Sequence, residues 1–375
     1  MAAIINKFQR YYFIFIVFSF TIFLLYCNKK IKKKYNSDLL IGVKIYEYHH
    51  DFNHLFKQWK EMGINTVFVG LSLDSNRTFR EMAEKHNIKR FLIMPIFYNP
   101  EFLHENPDYY AITSKGKKAV DDWVEFVCPT RADYKNRRIQ LIKDIIRSNN
   151  PDGLSIDFIR YFVFWEMMYP DAVIKDLPLS CFCNQCIEKF CNDCDVDIPK
   201  DFEIIEKKKL SGWILNNYKE EWTDWKCTII TEMVKEIVKA AKEIKPDVII
   251  NLHAVPWRKQ DYNHAIKFVA GQDFSQLSEY VDFISPMCYN HMVKRPPSWI
   301  HSVVTNIHDE SGSAILPSIQ VSKAYLDIEI SPEDFRKALL FALKKPSRGV
   351  VFWNWESLAY SSEKLSLVKD IILHK

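Results

Sequence analysis

The sequence is short of glycine, with nine in 375 residues, and no Gly-rich loop follows its first strand-like run. A dinucleotide pyrophosphate needs such a loop for close backbone approach, so a Rossmann-type cofactor site is excluded. Charge of one sign is lacking too: 51 basic against 47 acidic side chains leave a net +4. No basic stretch in the body interleaves with aromatics, and a nucleic-acid partner is therefore not expected. No internal repeat stands out beyond an alternation of strand and helix. Long apolar runs are confined to one, at the N-terminus. Aromatics are the opposite case. Ten Trp and eighteen Tyr exceed what a core needs; such rings either make the core bulky or offer faces on which sugar rings stack.

The apolar run spans 11–26 (YYFIFIVFSFTIFLLY), follows Lys7 and Arg10, and ends at Cys27. A charged segment before a long hydrophobic one is the grammar of an export signal. The run falls a little short of the ~20 residues that a relaxed spanning helix takes. Cys27 after Leu24-Leu25-Tyr26 resembles the acylated cysteine of a bacterial lipoprotein signal, with Tyr26 where such signals carry a small residue. The expectation is a membrane-attached, exported lipoprotein of the cell envelope, with 1–27 as signal peptide or anchor. The rival is an uncleaved anchor: Lys29, Lys30, Lys32, Lys33 and Lys34 follow the run, and the positive-inside rule would then keep the body cytoplasmic. Residues 28–37 form a polar, lysine-rich tether.

From residue 38 onward, short β-branched and aromatic runs alternate with longer amphipathic stretches, the pattern of parallel βαβ units. Eight strand candidates occur, at 39–48, 65–71, 90–99, 152–161, 247–255, 281–290, 314–321 and 349–358. Several are apolar on both faces, as strands between helices and a barrel interior should be. Between them, 51–62 sets Phe52, Leu55, Phe56 and Trp59 on one stripe, with Gly63 as C-cap. Ser331 with Pro332 opens another helix, and 222–244 reads as a long amphipathic one. The rhythm predicts a single (β/α)₈ TIM barrel over 38–375. Residues 162–246 separate the fourth and fifth strands, too many for one crossover helix, so 162–221 is expected to be an enlarged, cysteine-rich loop over the active-site face.

By the fourth strand the residues become familiar. Cys128-Pro129, the helix NRRIQLIKDIIRS, DGLSIDFIRY, CFCNQCIEKF, then GQDFSQLSEYVDFISPMCYN and GVVFWNWESL resemble, in this order, glycoside hydrolases of the (β/α)₈ type. The resemblance covers about 38–370 and implies cleavage of an oligo- or polysaccharide. The fourth strand is also similar to the α-amylase pattern D-G-x-R-x-D, whose last aspartate attacks the sugar. Asp152-Gly153-Leu154-Ser155-Ile156-Asp157 keeps that frame, with Ser155 in place of the arginine. The chitinase pattern ends in a glutamate where this chain has Ile159, so a substrate-assisted mechanism is not implied.

Glycoside cleavage takes two carboxylates across the scissile bond. If Ile156 and Phe158 pack outward, Ser155 and Asp157 point inward, with Asp157 nearest the mouth. Asp157 is thus the expected nucleophile, against a reading in which it only pairs with Arg160 to close the barrel top. For the second carboxylate, Glu356 at the end of the eighth strand is favoured as proton donor, then Asp273 and then Glu47. Arg160, Tyr161, His253, Gln272, Tyr289, Trp353 and Trp355 are expected to contact the sugar, the tryptophans as stacking platforms. The alternative to an enzyme is a carbohydrate-binding barrel without catalysis, since the fourth strand lacks an obvious glutamate.

Five of the nine cysteines fall in C-x-C-x₂-C-x₄-C-x₂-C at 181–194. The spacing lacks the C-x₃-C-x₂-C of iron–sulfur radical enzymes. One β-galactosidase family carries zinc on C-x-C-x₂-C in this loop plus one upstream cysteine. Cys181, Cys183 and Cys186 match that pattern, with Cys128, Cys191 or Cys194 as fourth ligand. Disulfides or free thiols are the alternatives. No cofactor is expected for catalysis.

Overall fold

The computed structural model describes residues 39–173, 177–199 and 207–374. The expected signal or anchor and the tether lie outside the described residues. Among the described residues no helix is long and apolar enough to cross a membrane.

All eight strand candidates form strands. We number them β1 (Leu40–Ile45), β2 (Thr66–Val69), β3 (Lys89–Pro95), β4 (Gly153–Asp157), β5 (Ile249–Ala254), β6 (Phe283–Cys288), β7 (Ser318–Gln320) and β8 (Gly349–Trp353). Each pairs in parallel with its chain neighbours, and β8 returns to β1 through Leu40↔Gly349 to Val43↔Phe352, which closes the barrel. The 314–321 run is split: Ala314–Ile315 pairs with β6, and β7 follows Pro317. A proline has no N–H for the ladder, so the strand breaks there.

Local chemistry explains where the helices begin and end. Asp51 accepts from the amides of Asn53 and His54 at 3.0 and 3.2 Å, opening Phe52–Glu61. Gly63 follows that helix at φ +75°, where a Cβ would lie 2.7 Å from Ile372. Ser331 caps Pro332–Ala342 through the amide of Asp334 at 3.0 Å. The amphipathic helix expected at 222–244 runs from Lys219 to Ile244.

The barrel interior is filled at its lower end by Phe68 and Phe91, centroids 5.0 Å apart. Gly153 makes this fit, since a Cβ there would lie 2.6 Å from Phe91. Above them the filling turns polar. Ser155 bonds His253 and Asn251, both at 2.9 Å, and Ser285 donates to Asn251 at 2.8 Å. Ser155 therefore points inward, as strand alternation requires.

Two βα loops are enlarged. The fourth holds the helices Asn184–Cys194 and Lys207–Asn217. The third, between β3 and the helix Ala132–Asn149, carries a hairpin of Val120–Asp121 and Val124–Glu125. Two-residue strands leave no periodicity to read, so the hairpin was not foreseen.

Candidate active site

The polar filling leads up to a cleft of about 430 Å³ at the C-terminal mouth. Asp157, the last residue of β4, lines it and is 7% exposed. One of its oxygens accepts from the Phe158 amide at 2.7 Å. A second carboxylate, Glu166, lines the same cleft from the turn Trp165–Met167. It is 8% exposed, and its Oε2 has no hydrogen-bond partner among the described residues. Burial pushes the Glu166 carboxyl up to about 7; Arg160 opposes the rise and Asp157 adds to it.

Arg160 lies within electrostatic reach of both acids. Its guanidinium is buried over Phe126 at 4.8 Å and Phe158 at 5.5 Å, and donates to the carbonyl of Val163 at 2.8 Å. Burial lowers its pKa, while Glu166 and Asp157 act to keep it charged.

Below the acids lies Lys44 of β1, 1% exposed. Its ammonium donates to the Tyr289 hydroxyl at 3.2 Å and approaches His253 Nδ1 at 3.5 Å. Burial lowers Lys44 to about 8, against the pull of Asp157. Burial, with Lys44, drives His253 down to about 3, so the imidazole is neutral. Lys44 can only donate to Nδ1, which leaves Nε2–H to donate to Ser155 Oγ. Tyr289 stacks on Trp353, centroids 4.3 Å apart and planes 17° from parallel.

Of the expected site residues, the cleft gathers Asp157, Tyr289 and Trp353, with His253 and Arg160 just behind its wall. The others stand elsewhere. Glu356, in the first turn of Trp355–Ala359, accepts the amides of Tyr46 and Glu47 at 3.1 and 3.4 Å, tying two loops at the rim. Asp273 pairs with Lys267 at 2.8 Å and caps Phe274–Leu277, so its carboxylate is saturated. Glu47 is exposed beside His49. Gln272 is buried, bridging the carbonyl of Ile159 and the amide of Val255. Tyr161 packs under Lys226, whose ammonium lies 4.4 Å from its ring. Trp355 is core, edge-on to Trp59.

Glu166 and Lys44 escaped the sequence reading, though each carries a signal. Glu166 is the only acid in the apolar run 158–169, and Lys44 is a lone cation in an apolar strand. Both are costly to bury without a reason.

Beside the cleft, the sulfurs of Cys128, Cys181, Cys183 and Cys186 all lie within 4.8 Å of one another. Cys128 Sγ is 3.5 Å from Cys183 and 3.4 Å from Cys186. A tetrahedral zinc with ~2.3 Å bonds to sulfur sets its ligand atoms about 3.8 Å apart, so the four sulfurs fit one. None of the described cysteines is in a disulfide. Cys128 comes from the third loop and the other three from the fourth, so the cluster joins the two. Cys191 and Cys194 are not in the cluster, while Cys227 and Cys288 are buried in the core.

No protein-family model matches the chain, and no curated protein sequence does. Solved structures do resemble it. The PgaB (BpsB) glycoside hydrolase domain from Bordetella bronchiseptica superposes with a TM-score of 0.65 at 13% identity, covering 89% of this chain and 99% of that one. A β-galactosidase from Marinomonas ef1 gives 0.65 at 9%, covering 89% and 59%. One from Halorubrum lacusprofundi gives 0.66 at 11%, covering 89% and 58%, so this chain spans under two thirds of either galactosidase. At these identities the likeness is one of architecture: the chain has the TIM-barrel fold that these glycoside hydrolases share.

Proposed function

We propose that the protein is a glycoside hydrolase whose acid pair is Asp157 and Glu166. The observation that carries this reading is Glu166, a buried carboxyl with an unpartnered oxygen that shares the cleft with Asp157. With its pKa raised to about 7, Glu166 holds a proton at neutral pH and can give it to the leaving oxygen. Asp157 is the nucleophile in this scheme: its carboxylate bonds the anomeric carbon as the glycosidic oxygen departs with the proton from Glu166. Water then adds to that carbon, returns a proton to Glu166 and frees Asp157. Lys44 and the neutral His253 orient the floor, and the Tyr289–Trp353 stack offers a platform to a sugar face.

Glu166 takes the donor role expected of Glu356: each acid has one buried oxygen without a partner among the described residues, but Glu166 lines the cleft beside Asp157, whereas Glu356 does not line it and its Oε1 accepts two backbone amides. A carbohydrate-binding barrel without chemistry would have no use for a proton donor at this pKa. The test is a panel of nitrophenyl glycosides and short oligosaccharides covering α- and β-linked hexosides, β-galactosides among them. Wild type should cleave at least one. Glu166→Gln should lose roughly 10²–10⁴-fold in rate, least on substrates with good leaving groups. No cleavage of any by folded wild type would sink the reading.

The four-cysteine cluster is read as a structural zinc site that holds the third and fourth loops together and takes no part in chemistry. Metal analysis of protein purified without chelator should find about one zinc per chain, and its removal should lower the melting temperature by several degrees. The run at 1–27 is carried in this proposal as a membrane attachment. Protein lacking residues 1–37 should then be soluble, folded and equally active on a soluble glycoside.

A further inference from the structure

The mouth of the cleft is crossed by a contact that the chemistry above does not use. Trp123 sits at the tip of the third-loop hairpin, and its indole Nε1 donates to the hydroxyl of Tyr325 in the seventh loop. In the eight-strand ring β3 and β7 stand four strands apart by either route, so this bond spans the barrel's width. Each residue is 42% exposed, yet both line the cleft, which puts them on the boundary between cleft and solvent. Burial raises the Tyr325 phenol, the Trp123 hydrogen bond opposes the rise, and Glu166 and Asp122 add to it.

The clasp does not stand alone. Trp123 rests edge-on against Tyr98 at 5.4 Å and Phe158 at 6.0 Å. Phe164, from the fourth loop, packs edge-on against Tyr325 at 5.7 Å. The third, fourth and seventh loops thus meet in one aromatic layer above the acids. The lining residues Tyr46 and Asn354 belong to the loops after β1 and β8 and lie outside this aromatic layer.

We propose that the Trp123–Tyr325 clasp makes the cleft one-ended, so that the substrate enters as the terminus of a saccharide chain and not as an internal stretch of polymer. This rests on the hydrolase reading and adds to it the topology of the substrate. Gripping an internal bond needs a trough open at both ends, and the aromatic layer closes one of them. At about 430 Å³ the cleft is near the lower end of the ~300–1,000 Å³ of small-ligand sites, with room for a few sugar rings and no more. The clasp is both the stop for the chain end and a ring surface against which it lies.

The test takes the full-length protein and a tetrasaccharide, labelled at its reducing end, of the sugar that the panel selects. Wild type should shorten it one unit at a time, giving labelled tri- and then disaccharide. Trp123→Ala should open the closed end and raise internal relative to terminal cleavage at least tenfold. Tyr325→Phe removes one hydroxyl, keeps the ring, and should shift the pattern the same way by a smaller factor. Unchanged melting temperatures would show that both variants fold. Internal cleavage by wild type, or an unaltered pattern in the two variants, overturns the one-ended cleft and leaves the hydrolase reading standing. If wild type cuts nothing in the panel, the hydrolase reading fails and this inference goes with it.

Discussion

Two groups of buried charge in this barrel are treated in opposite ways. Near the N-terminal end of β3, Arg90 donates to Asp74 at 2.6 Å and to the carbonyls of Asn149 and Asn150 at 3.0 and 3.1 Å. Asn149 donates to the other Asp74 oxygen at 2.8 Å. Both oxygens of Asp74 and both terminal nitrogens of Arg90 have partners. At the mouth, Glu166 keeps a bare oxygen, and Lys44 reaches only a phenol and an imidazole. Saturated charges hold a fold together. Charges left short of partners are held ready for something that arrives later, and their pKa values move accordingly.

The contrast breaks most sharply at Asp157. Asp157→Asn keeps the shape and removes the attacking charge, so kcat should fall by about 10⁴-fold or more while the melting temperature holds. Near-normal turnover by the folded variant would move Asp157 to the structural side of the comparison. Arg90→Met should behave in the reverse sense. It leaves the Asp74 carboxylate buried and uncompensated, at a cost of about 3–5 kcal/mol in denaturant unfolding. Activity per folded molecule should stay at the wild-type level; a large loss of kcat without a loss of stability would blur the two groups.

Glu166 provides the finer test, because it links activity to stability through pH. Folding raises its carboxyl from 4.5 to about 7, so the folded state resists its charging. Its contribution is not felt below pH 4.5. Stability then declines as pH climbs towards about 7, by on the order of 3 kcal/mol in all. Glu166→Gln should erase that decline. In wild type, kcat/KM should drop about tenfold per pH unit above about 7, as the donor loses its proton. A flat profile from pH 6 to 9 would remove Glu166 from the donor role.

Much of the molecule was legible before any tertiary contact was known, and the reason is range. Strand alternation, helix stripes, the Asp51 and Ser331 caps and the Gly63 terminus are decided by residues within a few positions of one another. They were enough to count eight strands, to close them into a barrel and to put Asp157 at the end of the fourth. The C-x-C-x₂-C spacing likewise marked a cluster within one short segment. Its upstream member was not settled that way: Cys128 was one of three options until the fold set its sulfur beside Cys183 and Cys186.

What only the tertiary structure decided depends on groups far apart in the chain. Glu166 lies on a loop without periodicity, and its raised pKa comes from desolvation by neighbours and from the balance of Arg160 against Asp157. As sequence, Glu356 ranks ahead of Asp273 as donor; in the fold an ion pair with Lys267 engages Asp273, and two amides from the far end of the chain engage one oxygen of Glu356. The Trp123–Tyr325 clasp joins residues separated by half the chain. Local sequence specifies which elements form and which way their side chains face. Which charge is left without a partner is settled only when the loops of eight strands converge on one mouth.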